Sequence, residues 1–235
     1  MILGIDTAGL ADNVALVANE QILASFSLRQ PAMGSRPLLR LIDMVCAQVG
    51  CAVADMAALA VNIGPGAFTG IRVGLATAQG LALAYAKPLI GCSAFEALVS
   101  LVPCWSGQLC PIVQAHRGEV YAAFYRCQDE VMQETVAGMV LTPAALCADI
   151  KERTLFLGSG VSAYGAEVAA TLGAQAVCIN IVEAETGLAA TIARRGHVRL
   201  QAVGPDALPM PQPLYIRPAD ARLPRVAAQV AEITP

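Results

Sequence analysis

The sequence predicts an α/β protein of two similarly built domains, each a mixed sheet flanked by helices. Three observations carry this. Short apolar runs such as Ile2 to Asp6 and Ala57 to Ile63 alternate with longer segments of helical period. The order of elements in the first half (three strands, helix, strand, helix, strand, helix) returns in the second, the mark of a duplicated architecture without shared side chains. Between the halves, Pro103-Cys104-Trp105-Ser106-Gly107 shifts the composition and sets domains of residues 1–103 and 104–235.

In the first half, Ile2 to Asp6, Val14 to Ala18 and Ile22 to Leu28 read as successive strands, the first of them central. Asp12-Asn13 and Asn19-Glu20-Gln21 are the polar breaks between them. A helix follows, with Ser35 as its N-cap, Pro37 in its first turn and Gly50 as its stop. Leu38, Ile42, Val45 and Val49 form its apolar stripe, and Leu39, Leu41, Met44 and Cys46 widen it beyond one core-facing side. Ala57 to Ile63 is a buried strand ended by Gly64-Pro65-Gly66, and Thr69 to Ala86 a helix with Arg72 as its interior charge. Gly70, Gly74 and Ala78 recur at four-residue spacing, which lets a neighbouring backbone come close. Lys87 to Gly91 is a short strand, and Ser93 starts another helix.

The second half reads as strands at Leu109 to Ala115, Glu119 to Arg126 and Val131 to Val140. Then come helix Pro143 to Ile150, strand Thr154 to Leu157, helix Ala163 to Leu172, strand Ala176 to Ile179 and helix Ala184 to Gly196. The proline-rich stretch from Pro205 to Pro224 is expected to run extended over the surface.

Hydrophobic residues make up 56% of the chain and charged ones 14%, so a membrane reading is tested first. The most apolar stretch, Val73 to Ala86, is interrupted by Gln79 and falls short of the roughly 20 residues of a span. Met1 to Ile5 reads as a strand rather than a basic leader, so no signal peptide is expected. The surplus apolar surface is expected to meet another protein. A net charge of −3 disfavours direct nucleic-acid binding, and the basic group Arg194, Arg195, His197 and Arg199 reads as a solvated helix end. The 8 cysteines contain no C-x-x-C pair and are read as small buried hydrophobes in a reducing compartment.

The most informative segment is Gly64-Pro65-Gly66-Ala67-Phe68-Thr69-Gly70, followed by Ile71-Arg72. A turn of this kind between a buried strand and a helix either cradles an anion on backbone N–H groups or is simply tight. It is not a Walker loop, since no Gly-Lys-Ser/Thr follows, nor a dinucleotide fingerprint, since its third glycine is out of place.

Together with Ile2-Leu3-Gly4-Ile5-Asp6-Thr7, the run GPGAFTGIRVGLATAQGLA and then KPLIG, this segment resembles the TsaB (YeaZ) family in order and spacing. The fragment His116-Arg117-Gly118-Glu119-Val120-Tyr121, the turn Leu157-Gly158-Ser159-Gly160 and the late Pro213-Leu214-Tyr215-Ile216-Arg217 are similar as well. The resemblance implies two actin-like (ASKHA, ribonuclease H-like) domains. It also implies a cytoplasmic, non-catalytic scaffold that binds TsaD and TsaE orthologues during threonylcarbamoyl transfer to tRNA. Such a protein is a homodimer when alone, contacts tRNA only through the complex and needs no membrane. On this reading the partner interface is carried by Gly64, Pro65, Gly66, Phe68, Thr69, Gly70, Arg72, Leu39, Ile42, Leu75 and Gln79.

The catalytic relative TsaD carries a metal-binding H-x-x-x-H pair after its KPLIG-like segment. Here those positions are Ala94 and Leu98, which cannot ligate. No cofactor is expected for this chain alone; ATP and a divalent metal belong to the partner subunits. Asp6, Thr7, Gly158 and Gly160 are read as vestigial nucleotide-type loops. Ala8 stands where the family usually has serine, and Gly34-Ser35 where many relatives carry His-Ser. A small-molecule kinase or metallopeptidase of the same fold is the competing reading. Asp6 is thin support for the first, and the second lacks ligands.

Overall fold

The computed structural model describes residues 1–29, 37–102, 105–181 and 187–217. In the first half, β1 (Ile2–Asp6), β2 (Ala11–Ala18), β3 (Gln21–Arg29), β4 (Ala58–Asn62) and β5 (Leu89–Cys92) form one sheet in the order β3-β2-β1-β4-β5. In the second, β6 (Gln108–Gln114), β7 (Val120–Gln128), β8 (Val131–Leu141), β9 (Thr154–Leu157) and β10 (Ala176–Ile179) form another in the order β10-β9-β6-β7-β8. Read from opposite ends, the two orders are the same. Each sheet opens with an antiparallel meander and continues with two parallel strands. This is the expected pair of actin-like domains.

The duplication extends to the turns. Asn19-Glu20 joins β2 to β3 and Asp129-Glu130 joins β7 to β8, all four residues with positive φ. Such two-residue loops match the twist of paired strands, and short acidic or amide side chains tolerate that backbone best.

The helices are α1 (Leu38–Val49), α2 (Phe68–Ala84), α3 (Ala94–Val99), α4 (Pro143–Ala148), α5 (Ser159–Leu172) and α6 (Ala189–Val203). Gly50 ends α1 in the left-handed region, while the Ser35 cap lies outside the described residues. Ser93 caps α3 as expected: its hydroxyl accepts from the Glu96 N–H at 3.0 Å, and Glu96 returns a carboxylate to the Ser93 N–H at 2.8 Å. The expected start of the last helix, Ala184, lies outside the described residues; α6 runs past the expected end at Gly196 to Val203. Of the proline-rich stretch, residues 208–215 run without helix or strand, and those after 217 lie outside the described residues.

The boundary between residues 103 and 104 separates the two sheets, but the spatial division is crossed twice. α6 packs across β1, β2, β4 and β5 of the first sheet, and α3 packs on β6 of the second. The molecule is thus five layers deep: α1 and α2, first sheet, α3 with α6, second sheet, α4 and α5. The cause is legible in small residues. Strand β1 turns Leu3 and Ile5 towards α1 and α2, and Ile2, Gly4 and Asp6 towards α6. On the α6 side, Gly4 lies under Ala189 and Ala60 lies under Gly196, letting the helix seat on the strands. All five residues of β1 and of β4 are buried, as strands covered on both faces must be.

Cys127 is disulfide-bonded, a correction to its reading as a buried thiol. Six other cysteines are free, and Cys104 lies outside the described residues. Among the described residues no helix is long and apolar enough to cross a membrane.

Candidate functional site

A cleft of about 810 Å³ opens between the two sheets at the ends of β1, β4 and β6. Asp6 sits at its base, 3% exposed. One carboxylate oxygen accepts from Asn62 Nδ2 at 2.8 Å and the Ala8 N–H at 3.1 Å; the other accepts from the Leu188 N–H at 2.9 Å. The carboxylate therefore ties β1 to β4 and to the entry of α6. Asn62 and Leu188 had no signal in the sequence, because both contacts are long-range.

The Gly-Pro-Gly turn forms one lip of the cleft, with a cis Gly64-Pro65 bond. Two N–H groups here are used within the protein: Gly64 donates to Asn62 Oδ1 at 2.8 Å and Ala67 to the Ala8 carbonyl at 2.7 Å. A Cβ on Gly66 would stand 2.5 Å from that same carbonyl, so the glycine is needed for close approach. Thr7, on the far side of β1, donates its hydroxyl to the Gly70 carbonyl at 2.7 Å, and Gly74 leaves room for it. The Gly70, Gly74, Ala78 stripe is buried against the first sheet and is not available to another protein.

The opposite lip carries Gln114, His116, Tyr121, Ser159 and Ser162. Gly158 and Gly160 serve packing: a Cβ on Gly158 would meet the Ile112 carbonyl at 2.4 Å. Ser159 Oγ accepts from the Gln114 N–H at 3.1 Å, fastening α5 to β6. Ala94 and Leu98 line the cleft with hydrocarbon. Among the described residues no group of three or more His, Cys, Asp or Glu side chains could hold a metal ion.

The expected interface residues divide. Ile42 and Leu75 are 1% and 6% exposed and belong to the core between the first sheet and its outer helices, so neither can meet a partner. Both lie on the arc of their helix that faces the strands, and apolar width alone did not give the phase. Gly64, Pro65 and Gly70 are also buried, and Gly66 is half-buried in the cleft lip. Phe68, Thr69, Arg72 and Leu39 are exposed, and Gln79 half so. Two residues outside the expected set complete the outer face: Met44 at 50% and Leu83 at 86% exposure. Thr69, Ala76 and Leu83 stand seven residues apart on one side of α2, a spacing readable in the sequence. Gly80 is exposed and Val73 half-exposed on that same side of α2, and Leu39 and Met44 are exposed on α1, in the same outermost layer.

Residues 34–204 match the protein family described as TsaD: tRNA N6-adenosine threonylcarbamoyltransferase. The chain is 26% identical over 175 residues to the tRNA threonylcarbamoyladenosine biosynthesis protein TsaB of Bacillus subtilis, spanning 73% of this chain and 76% of that protein. It is 36% identical over 127 residues to TsaB of Escherichia coli, spanning 53% and 54%. Among solved structures, YeaZ from Pseudomonas aeruginosa superposes with a TM-score of 0.70 at 22% identity, over 91% of this chain and 98% of that one, a likeness of fold.

Proposed function

Because the chain belongs to the family described as TsaD: tRNA N6-adenosine threonylcarbamoyltransferase, and within it to the TsaB (YeaZ) type, we propose that it is a non-catalytic scaffold in tRNA threonylcarbamoyladenosine biosynthesis. It binds a TsaD-type catalytic subunit, and with it a TsaE-type subunit, in the cytoplasm. Without them it pairs with a second copy. ATP and a divalent metal belong to the partner subunits, and tRNA reaches this chain only through the assembly.

The observation that carries the reading is the outer face of α1 and α2. Leu39 and Met44 are exposed on α1, and Leu83 is exposed on the side of α2 that carries Ala76 and Gly80. Large exposed apolar side chains together with small residues let a partner helix approach closely and lose its water. The Asp6 carboxylate points the same way, away from turnover: three donors already occupy it.

The test is light-scattering mass measurement of the chain alone and mixed with the TsaD-type protein of the same organism. A mixed species at micromolar concentration is expected. Separate masses in the mixture, together with Asp6-dependent ATP hydrolysis by the chain alone, would replace the scaffold with the kinase reading.

A further inference from the structure

Beyond α6 the chain returns to the mouth of the cleft, where residues 211–217 touch both halves of the molecule. Pro211 covers Gly91 in β5, its Cβ 2.9 Å from where a Gly91 Cβ would lie. The Leu214 N–H donates to the Ile63 carbonyl at 2.7 Å. Tyr215 packs on Phe68 with ring centroids 5.1 Å apart, and its hydroxyl accepts from Arg72 Nε at 2.8 Å. All these anchors belong to the first half. The next two residues reach the second: Ile216 fills the space left by Gly138 in β8, and Arg217 forms an ion pair with Glu119, just before β7.

The pair is only 22% and 25% exposed at its two side chains, so salt and water screen it less than an open surface pair. The same segment walls a small recess with Pro65, Gly66 and Tyr121, and those three residues also line the main cleft. It therefore stands where the lip of one half faces the lip of the other.

We propose that residues 211–217 are an interdomain clamp, a strap that fixes the separation of the two cleft lips and closes the cleft along one side. The two sheets share an apolar middle layer, so relative motion is the small shear of packed elements, felt most at the open cleft end. A tie between the lips opposes that motion. Arg217 and Glu119 form its outermost fastening, and Tyr215 with Arg72 the inner one. The clamp goes beyond the scaffold reading and does not rest on it.

Hydrogen exchange of the full chain tests this, comparing the wild type with Arg217→Ala and Glu119→Gln. Exchange at the hydrogen-bonded lip amides of Gly64, Ala67, Gln114 and Ala115 should quicken roughly tenfold while β1, β4 and β9 keep their rates. Tyr215→Phe, which keeps the ring contact and loses one hydrogen bond, should quicken the lips less. Unchanged lip rates in both charge variants would overturn the clamp. A uniform rise through both sheets would overturn it too, since that is general destabilisation. Should Arg217→Ala fail to fold, the near-isosteric Glu119→Gln gives the same reading.

Discussion

The Ala189 carbonyl oxygen lies 2.0 Å from the point a Cβ on Gly4 would occupy. That closeness explains a glycine in the middle of a central strand, and it seats the chain's last described helix on its first sheet. Gly4→Ala pushes a methyl into a backbone carbonyl, which no rotamer change relieves. A loss of about 3 kcal/mol is expected, read as a lower denaturation midpoint. Gly80→Ala is the contrast: nothing lies within 4 Å of its Cβ site. There the helix should gain about 1 kcal/mol.

Asp6→Asn removes one acceptor from a carboxylate that serves three buried donors. An amide can satisfy one side of the arrangement but turns an N–H₂ towards the other. The stability loss should be about 2 kcal/mol, since a donor is left buried without a partner. Thermal denaturation checks it, and an unchanged midpoint would show the network to be dispensable.

The middle layer should be acid-sensitive through Glu96. Burial alone would raise this carboxyl, but the Ser93 N–H and the Arg199 guanidinium outweigh burial and hold it below its ordinary value of 4.5. A lowered folded-state pKa contributes stability above the unfolded value and loses it as pH falls through the folded one. Glu96→Gln should therefore be less stable at neutral pH, and the gap to wild type should close as pH drops below about 4.5. Denaturation midpoints across that range give the comparison.

Two thiols should stay silent. Burial, then the nearby Glu96 carboxylate, pushes Cys92 up to about 12; burial, then Cys51, pushes Cys46 up to about 11. The thiolate is the reactive form, so neither should be alkylated in the native protein at about pH 8. Mass mapping after iodoacetamide treatment reads this directly, and rapid modification of Cys92 would contradict its place in the core.

Much of the fold was legible because both halves obey local rules. Ser93 with Glu96, Gly50 after α1, and the polar pair Asn19-Glu20 each mark a boundary within a few residues of their own position. Long-range placement was not legible. Nothing near Ala189 says that it will lie on Gly4, and helical period alone could not tell whether Leu75 or Leu83 faces out. Asp6 looked like a remnant of nucleotide chemistry; its partners Asn62 and Leu188 come from distant parts of the chain and give it a structural task.

The most direct test of the scaffold reading charges the outer face without touching the core. Leu83 and Leu39 are 86% and 57% exposed, so Leu83→Glu and Leu39→Glu should leave the fold of the free chain intact. Light-scattering titration against the TsaD-type partner should show affinity weakened at least roughly tenfold in each, with unchanged thermal midpoints. Wild-type affinity in both variants would contradict the claim that this face is where the protein works.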